Sequence, residues 1–306
     1  MLQRILSSHK EIKSTSESWL LLPFIYSIRD NGVLAEYSHA GSCKAINDFI
    51  SSMQGGKKAY KASMREFVLS LYAKQCRNNE RYFLDKTPRY YYIIEDIAEL
   101  FPDAKFVFLF RNPVQIFASV LNTWGQGCFR KIIGSYNDLY YGPELLTQGY
   151  QLLRDKSYRI QYEDLLNLPE EQLRDLTDYL EINYEDNMTK NFKNICFEGR
   201  MGDSTGVDTY QSLDMNPLGK WKSVFNTVTR KRFLKNYING FDNTVLELQG
   251  YLKQEVLKNI DELRAILGNP PLEMLDIRLG HMLWRSKINL FLGKRTRERI
   301  RNKYLT

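Results

Sequence analysis

The spacing of hydrophobic residues changes from a helical to a strand-like pattern near residue 80. Apolar residues recur at helical intervals over residues 18 to 80, with turn-forming residues at 30–32, 40–42 and 55–56. This first part of the chain is therefore predicted to be mostly helical.

Short strand candidates then follow at residues 82 to 86 and 105 to 110, the second with an unbroken apolar run over 106 to 110, and Pro88 opens a helical pattern between them. A strand, a helix and a strand within about thirty residues form a βαβ crossover, in which the two strands are parallel. A third strand candidate covers residues 157 to 164, and a helix is predicted from Pro169 to about residue 180. The pattern predicts an α/β fold, in which helices flank a parallel sheet.

Two polar stretches divide the second half of the chain. Residues 190 to 220 are rich in Gly, Asp, Ser and Asn and are predicted to form an ordered loop or lid. From Thr229 the pattern is helical again as far as Pro270-Pro271, which is typical of a boundary. We therefore expect an α/β domain over residues 1–268 and a basic, amphipathic C-terminal tail over residues 269–306.

The apolar strand at residues 105 to 110 ends at Arg111, and Asn112 and Pro113 follow it. Asparagine is a good helix N-cap and proline is favoured at the first helical position, so a helix is predicted to begin at Pro113. Its residues at i, i+3, i+4 and i+7 are apolar and are expected to pack on the sheet, with the polar residues on the other side. The apolar set is Val114, Phe117, Ala118 and Leu121, and the polar set is Gln115, Ser119 and Asn122.

Arg111 lies at the carboxyl end of a predicted parallel strand, which is where open α/β sheets bind ligands. Its guanidinium can hold an anion through two parallel hydrogen bonds, and Ser119, two turns along the helix, can donate to the same anion. The alternative is structural: Arg111 pairs with a carboxylate at the edge of the core, and Ser119 faces solvent. Spacing alone leaves both interpretations open.

The net charge is concentrated at the C-terminal end. Residues 281 to 306 hold eight Lys or Arg and one acidic residue, Glu298, which accounts for the whole formal charge of +7. A nucleic-acid-binding protein would spread basic charge over a face of its folded body, so we expect no nucleic-acid partner. The tail also has apolar residues at helical spacing, and it can either lie on an anionic membrane surface or dock on the body of the protein. These residues are Trp284, Ile288, Phe291 and Leu292.

Other kinds of site have little support in the sequence. The four cysteines form no Cys-x-x-Cys pair, and no cluster of His, Asp or Glu has the spacing of a metal site, so we expect neither disulfides nor a bound metal. No apolar stretch approaches the roughly 18 residues that are needed to cross a bilayer. We expect a cytoplasmic protein, which lies at the inner face of a membrane if its tail binds lipid.

Several segments, taken in order, resemble the sulfotransferases that use 3′-phosphoadenosine 5′-phosphosulfate (PAPS) as donor. A strand ending in Arg, an Asn-Pro turn and a Ser eight positions after the Arg are similar to the 3′-phosphate-binding motif of this family. The segments LDKTP (84–88), QYEDLL (161–166) and GKWK (219–222) resemble three further family landmarks. The similarity is closest to the branch that includes tyrosylprotein and bacterial carbohydrate sulfotransferases, and it implies a parallel sheet like that of P-loop nucleotide kinases.

The resemblance implies residues that bind the donor nucleotide. Arg111 and Ser119 match the residues that hold the 3′-phosphate, and Tyr162 and Lys220 match residues that contact the nucleotide. Ser212 is a weaker candidate, because its distance from the GKWK segment differs from the family's. The structural alternatives are a core position for Tyr162 and a solvated loop position for Lys220.

The resemblance also implies two catalytic residues. Lys86 matches the lysine that approaches the transferred sulfuryl group, and Glu17 matches the glutamate that deprotonates the acceptor hydroxyl. The structural alternatives are that Lys86 pairs with Asp85 or Glu95, and that Glu17 caps a helix beginning near Ser18.

One family feature is absent from this sequence. Relatives begin with a strand and a loop of the type Gly-x-x-Arg-Ser-Gly-Thr-Thr, whose backbone N–H groups hold the 5′-phosphosulfate. Residues 1 to 12 match the segment after that loop, so we expect a sheet that lacks its central strand. Either the coding start lies upstream of Met1, or the protein cannot bind the donor normally. His9, a rival base to Glu17, is expected to lie in the first helix and to pack.

These features lead to two hypotheses about function. The first is a PAPS-dependent sulfotransferase that transfers a sulfuryl group to a hydroxyl of a carbohydrate or another acceptor. The second is a non-catalytic protein of the same fold, tethered to a membrane or a partner by its basic tail. The first predicts that the bisphosphate product raises the melting temperature, and the second predicts no such rise.

Overall fold

The computed structural model describes residues 1–197, 199, 201–202, 213 and 216–287. Helices and short strands alternate up to residue 161 in this order: α1 Leu2–Ser7, β1 Ile12–Ser14, α2 Leu21–Tyr26, α3 His39–Ser52, α4 Gly56–Gln75, β2 Tyr82–Leu84, α5 Ile94–Leu100, β3 Phe106–Phe110, α6 Pro113–Thr123, α7 Tyr136–Tyr140, α8 Gly142–Leu152 and β4 Ser157–Gln161. Single 3₁₀ segments precede α5, α7 and β4 at Pro88–Tyr92, Phe129–Ser135 and Arg154–Lys156.

The rest of the described chain is helical. Its helices are α9 Tyr162–Asn167, α10 Pro169–Tyr179, α11 Met188–Asn191, α12 Asn216–Gly219, α13 Trp221–Val224, α14 Val228–Asn239, α15 Asn243–Leu248, α16 Lys253–Asp261 and α17 Pro270–Arg285. A 3₁₀ segment, Phe192–Asn194, follows α11. Within the predicted loop or lid at 190–220, residues 203–212 and the single positions 198, 200, 214 and 215 lie outside the described residues.

The chain forms two compact units. Unit 1 consists of Met1–Phe108, Gly149–Ile160 and Asp164–Asp214. Unit 2 consists of Leu109–Gln148, Gln161–Glu163 and Met215–Thr306.

The strands form two separate pairs. β1 and β2 are parallel, with Ile12 opposite Tyr82 and Ser14 opposite Leu84. β3 is hydrogen-bonded to β4. The predicted α/β class is confirmed, and the described strands form two short pairs. The two strands of the predicted βαβ crossover, β2 and β3, do not pair with each other. β2 pairs with β1, and β3 pairs with β4.

Two hydrophobic cores hold unit 1 together. In the first, α1 and β1 pack with α10, and the fully buried side chains include Ile5, Leu173 and Leu176. In the second, α2, α4 and α5 meet around Val68 and Ile93. Each helix contributes a single apolar stripe, as amphipathic helices on a core do.

The structure differs from the sequence prediction at three places in unit 1. The stretch Ile12–Ser14 forms a strand that the hydrophobic pattern did not indicate. The helix predicted from Pro88 is divided into a 3₁₀ turn and α5, because Ile93 has non-helical dihedral angles. His9 lies just after α1 and not within it, although it is buried as expected: its Nε2 donates to the carbonyl oxygen of Asn183 at 2.8 Å.

Unit 2 has an aromatic core around α6. Phe117 is fully buried. The centroid of its ring lies 4.9 to 5.9 Å from the ring centroids of Phe129, Phe225, Phe233 and Tyr237. Val114, Ala118 and Leu121 are buried with it, so the predicted packing face of α6 is confirmed. Edge-to-face ring pairs stabilise such a core beyond the burial of apolar area alone.

The structure describes only part of the predicted apolar stripe of the tail. Trp284 lies in α17, and its ring stacks on Tyr140 with 5.1 Å between the ring centroids. The other three positions, Ile288, Phe291 and Leu292, lie outside the described residues. Within the described ranges no helix is both long and apolar enough to cross a membrane.

Candidate active-site residues

Glu17 and Lys86 are brought together in unit 1 by the parallel pairing of β1 and β2. Parallel strands end at the same edge of a sheet, so the residues that follow them are neighbours. Lys86 Nζ donates to Glu17 Oε1 at 2.5 Å, and Trp19 Nε1 donates to the other carboxylate oxygen at 3.2 Å. The two residues that the resemblance assigned to catalysis thus form an ion pair.

The surroundings of this pair leave it accessible on one side. The Glu17 side chain is 10% exposed and the Lys86 side chain 39% exposed. A carboxylate oxygen has two lone pairs, so each oxygen of Glu17 can accept one further hydrogen bond. The structural alternatives are not observed in the described residues: α2 begins at Leu21, and Lys86 pairs with neither Asp85 nor Glu95.

Asp85 fixes the segment beside Glu17, and sequence reasoning did not identify this role. Its carboxylate accepts hydrogen bonds from the hydroxyls of Tyr72 at 2.5 Å, Tyr90 at 2.8 Å and Ser18 at 3.0 Å. Burial, and secondly the charge of Asp85, raise the pKa of Tyr90 to about 12 and that of Tyr72 still further. Both phenols therefore remain protonated at neutral pH and act as donors to Asp85.

In unit 2 the turn after β3 is held by two side chains. Asn112 Oδ1 accepts from the backbone N–H of Val114 at 3.0 Å, so the predicted N-cap of α6 is confirmed. The backbone N–H of Asn112 donates to Glu163 Oε1 at 3.1 Å, and the Tyr251 hydroxyl donates to Glu163 Oε2 at 2.7 Å. Glu163 belongs to the quoted QYEDLL segment, but its role in holding this turn follows only from the structure.

Arg111 lies over an aromatic ring at the same turn. Its guanidinium carbon is 4.4 Å from the centroid of Tyr162, and its Nε donates to Gln115 Oε1 at 3.3 Å. No described residue offers Arg111 a carboxylate within ion-pair distance, so the structural alternative of a core-edge ion pair is not observed. Gln115 was expected to face away from the core, and this expectation is wrong: it is only 8% exposed because its amide receives Arg111.

The other predicted nucleotide contacts are found in different settings. Tyr162 is buried, so it combines the predicted core position with a ring face for Arg111. Ser119 is half-buried on α6, and it has no hydrogen-bond partner among the described residues. Lys220 is exposed at the N-cap of α13. Ser212 lies outside the described residues.

Unit 2 contains a cavity of about 650 Å³ next to the start of α6. Asn112 and Gln115 line it from α6, and Gly219 and Lys222 line it from the GKWK segment. Arg264 adds a second basic side chain. The lining also includes a carboxylate, that of Glu262, so the cavity offers hydrogen-bond donors for an anion and an acceptor beside them. Sequence reasoning did not single out Lys222, although it stands in the same segment as Lys220, and it did not single out Arg264.

Within the described part of the chain, no group of three or more His, Cys, Asp or Glu side chains can hold a metal ion.

Similar proteins point to one family. Nodulation protein NoeE of Sinorhizobium fredii is 29% identical over 126 residues, which cover 41% of this chain and 29% of NoeE. Omega-hydroxy-beta-dihydromenaquinone-9 sulfotransferase Stf3 of Mycobacterium tuberculosis is 27% identical over 135 residues, which cover 40% of this chain and 33% of Stf3. The aligned region thus spans about a third or less of the length of these relatives.

Two solved structures are also similar to this chain. The sulfotransferase domain from the curacin biosynthetic pathway is 19% identical, with a TM-score of 0.43 over 73% of this chain and 86% of that domain. The sulfotransferase domain from the Synechococcus PCC 7002 olefin synthase gives the same identity and TM-score over 72% and 82%. The family model described as "Sulfotransferase family" matches residues 1–186. Because this match covers more than half of the 306 residues, the chain belongs to the sulfotransferase family.

Proposed function

We propose that this protein is a PAPS-dependent sulfotransferase that transfers a sulfuryl group to a hydroxyl of a carbohydrate or another acceptor. Membership of the sulfotransferase family supports a transferase. The observation that carries the proposal is the contact between Glu17 and Lys86, whose charged atoms lie 2.5 Å apart. A base for the acceptor and a cation for the transferred group are the two charges that this reaction needs.

Glu17 is the general base of this proposal. The acceptor oxygen forms a bond to sulfur while the bond from sulfur to the donor phosphate oxygen breaks, and the acceptor proton passes to Glu17. A base must lie about 2.6–3.2 Å from the oxygen that it deprotonates, and the free lone pairs of the Glu17 carboxylate allow this approach. Trp19 holds the carboxylate in place from its other side.

Lys86 stabilises negative charge on the sulfuryl group and on the oxygen that leaves with the donor phosphate. Its side chain is the more exposed partner of the ion pair, so it can turn from Glu17 toward the donor without leaving a fully buried charge behind. Sulfuryl transfer resembles phosphoryl transfer, in which alignment and charge stabilisation account for most of the catalysis.

The donor nucleotide is bound by unit 2 in this proposal. Arg111 binds the 3′-phosphate, and the absence of a carboxylate partner among the described residues supports this role. Ser119 donates to the same phosphate, and Tyr162 and Lys220 contact the nucleotide. Ser212 is retained as a weaker candidate for binding the donor nucleotide.

The acceptor is proposed as a class only. The name of the relative Stf3 describes a sulfotransferase that acts on a hydroxylated dihydromenaquinone. A hydroxyl on a carbohydrate or on a lipid fits the same base and the same donor chemistry. Screening should therefore include both classes of acceptor.

The proposal is tested with protein expressed from its complete gene. We expect adenosine 3′,5′-bisphosphate to raise the melting temperature, because a ligand that binds only the folded state stabilises it. With labelled PAPS and an acceptor found by screening, Glu17→Gln should lower kcat at least about 100-fold, as loss of a general base does. It should leave the bisphosphate-induced shift intact, and Glu36→Gln, at an exposed position of unit 1, should change neither.

Two results would contradict the proposal. Normal sulfuryl transfer by Glu17→Gln would show that Glu17 is not the base. If the bisphosphate gave no rise in melting temperature and no acceptor were sulfated, the non-catalytic hypothesis would account for the protein better.

A further inference from the structure

One side of α17 packs against other elements of unit 2. Trp284 Nε1 donates to Asn137 Oδ1 at 2.8 Å, and Gly280 packs against the Phe129 backbone so closely that a Cβ atom would meet it at 3.2 Å. The inner side of the helix also places Ile277 against the aromatic core. For Trp284, the sequence left open contact with a membrane or docking on the body, and the structure places it on the packed side.

The opposite side of α17 is apolar and exposed. Leu272 is 62% exposed, Leu275 53% and Met282 57%. With 3.6 residues per turn, positions i, i+3, i+7 and i+10 lie along one side of a helix, so Leu279, which is half-buried, completes the row. Leu267, just before the helix, is also exposed. A continuous apolar row in water marks an interaction surface more often than scattered exposed residues do.

The acidic residues of α17 lie on its packed side, and its arginines are exposed. Both carboxylates point inward: Thr227 Oγ1 donates to Glu273 Oε2 at 2.7 Å, and the backbone N–H of Phe129 donates to Asp276 Oδ2 at 2.7 Å. Arg278 is exposed, and the arginine seven residues later is exposed as well. The outer side of the helix therefore combines apolar residues with positive charge and presents no acid.

The sequence after α17 contains further positive charge. Beyond Lys287 the chain contains six further Lys or Arg and one acid, Glu298. Basic residues are attracted to an anionic lipid surface, and apolar side chains strengthen the binding when they enter the boundary between headgroups and acyl chains.

We propose that the outer face of α17, defined by Leu272, Leu275, Leu279 and Met282, binds to the surface of an anionic lipid bilayer. The apolar row enters the interfacial region, while Arg278 contacts lipid phosphates. A second copy of this chain is a poorer occupant, because pairing the same face of two copies brings their arginines together. This inference does not depend on the proposed transfer reaction.

The experiment is sedimentation of the full chain with vesicles, either of phosphatidylcholine alone or of phosphatidylcholine mixed with phosphatidylglycerol. The wild type should sediment with the anionic vesicles. The double variant Leu275→Glu/Met282→Glu should bind them at least about tenfold more weakly, since it loses apolar insertion and gains negative charge. Leu252→Glu, which alters an equally exposed leucine of unit 2, is the matched control and should bind like the wild type.

Folding and self-association are checked on the same samples. Both substituted positions are exposed, so the melting temperature of the double variant should match that of the wild type, and Leu275→Ser/Met282→Ser serves as a second variant if it does not. Unchanged vesicle binding by a folded variant would overturn the proposal. So would a wild-type dimer that dissociates in the double variant, because the face would then be occupied by a second copy.

Discussion

Replacing Arg111 by alanine tests the proposed phosphate site directly. In the structure the guanidinium is stacked on Tyr162, and it uses its Nε to donate to Gln115. Its terminal N–H groups have no protein acceptor among the described residues. They are therefore available to donate to the proposed ligand group, the 3′-phosphate of adenosine 3′,5′-bisphosphate, which accepts hydrogen bonds and carries negative charge.

The size of the effect follows from the kind of interaction that is lost. A hydrogen bond to a charged group contributes about 1.5–3 kcal/mol, which corresponds to a rise in Kd of about 10- to 160-fold. A separate cost falls on folding. Gln115 is buried and loses its donor in the variant, so the free energy of unfolding should drop by about 1–2 kcal/mol.

The assay is isothermal titration calorimetry of the bisphosphate at two salt concentrations, at a temperature where all variants are folded. Arg111→Lys should give an intermediate affinity, because lysine keeps the charge but loses the flat fork and the stacking. Arg232→Ala removes the same charge from an exposed position of unit 2, and its affinity should equal that of the wild type. The difference between the arginine variants should shrink at high salt.

Two outcomes would refute this reasoning. An unchanged Kd in Arg111→Ala would show that Arg111 does not bind the phosphate. Equal weakening by Arg111→Ala and Arg232→Ala would show that only the overall charge of unit 2 matters.

Three further predictions concern unit 2. Glu163→Ala removes the acceptor of the Asn112 N–H and should lower the free energy of unfolding by about 1–3 kcal/mol in urea titrations, whereas an unchanged midpoint would show that the turn does not depend on it. Burial lowers the pKa of His281 below its usual 6.5, so its contribution to stability is present above that pH and is lost as the pH falls; His281→Asn should flatten the melting temperature between about pH 5 and 7, and an unaltered slope would contradict this. Phe117→Ala should cost about 3–5 kcal/mol of folding free energy by calorimetry, and a loss below about 1 kcal/mol would mean that the aromatic core closes over the cavity.

The sequence alone determined the local structure around Arg111. An apolar run, an Asn cap and a proline at the first helical position specify a strand, a turn and a helix through short-range steric and hydrogen-bond preferences. The spacing of Val114 and Phe117 identified the packed face of α6, because helical periodicity is a local property. The family landmarks then selected Glu17 and Lys86 as candidates without showing that they meet.

Only the tertiary structure decided which groups meet over long separations. The strand partners, the Glu17–Lys86 pair and the acceptors of Tyr72 and Tyr90 depend on how distant segments pack, and no local pattern encodes those distances. β1 is three residues long, too short for a period-two pattern to stand out. Trp284 shows the same limit: its helical spacing was visible in the sequence, but the side of α17 that is buried depends on the surface that unit 2 offers to it.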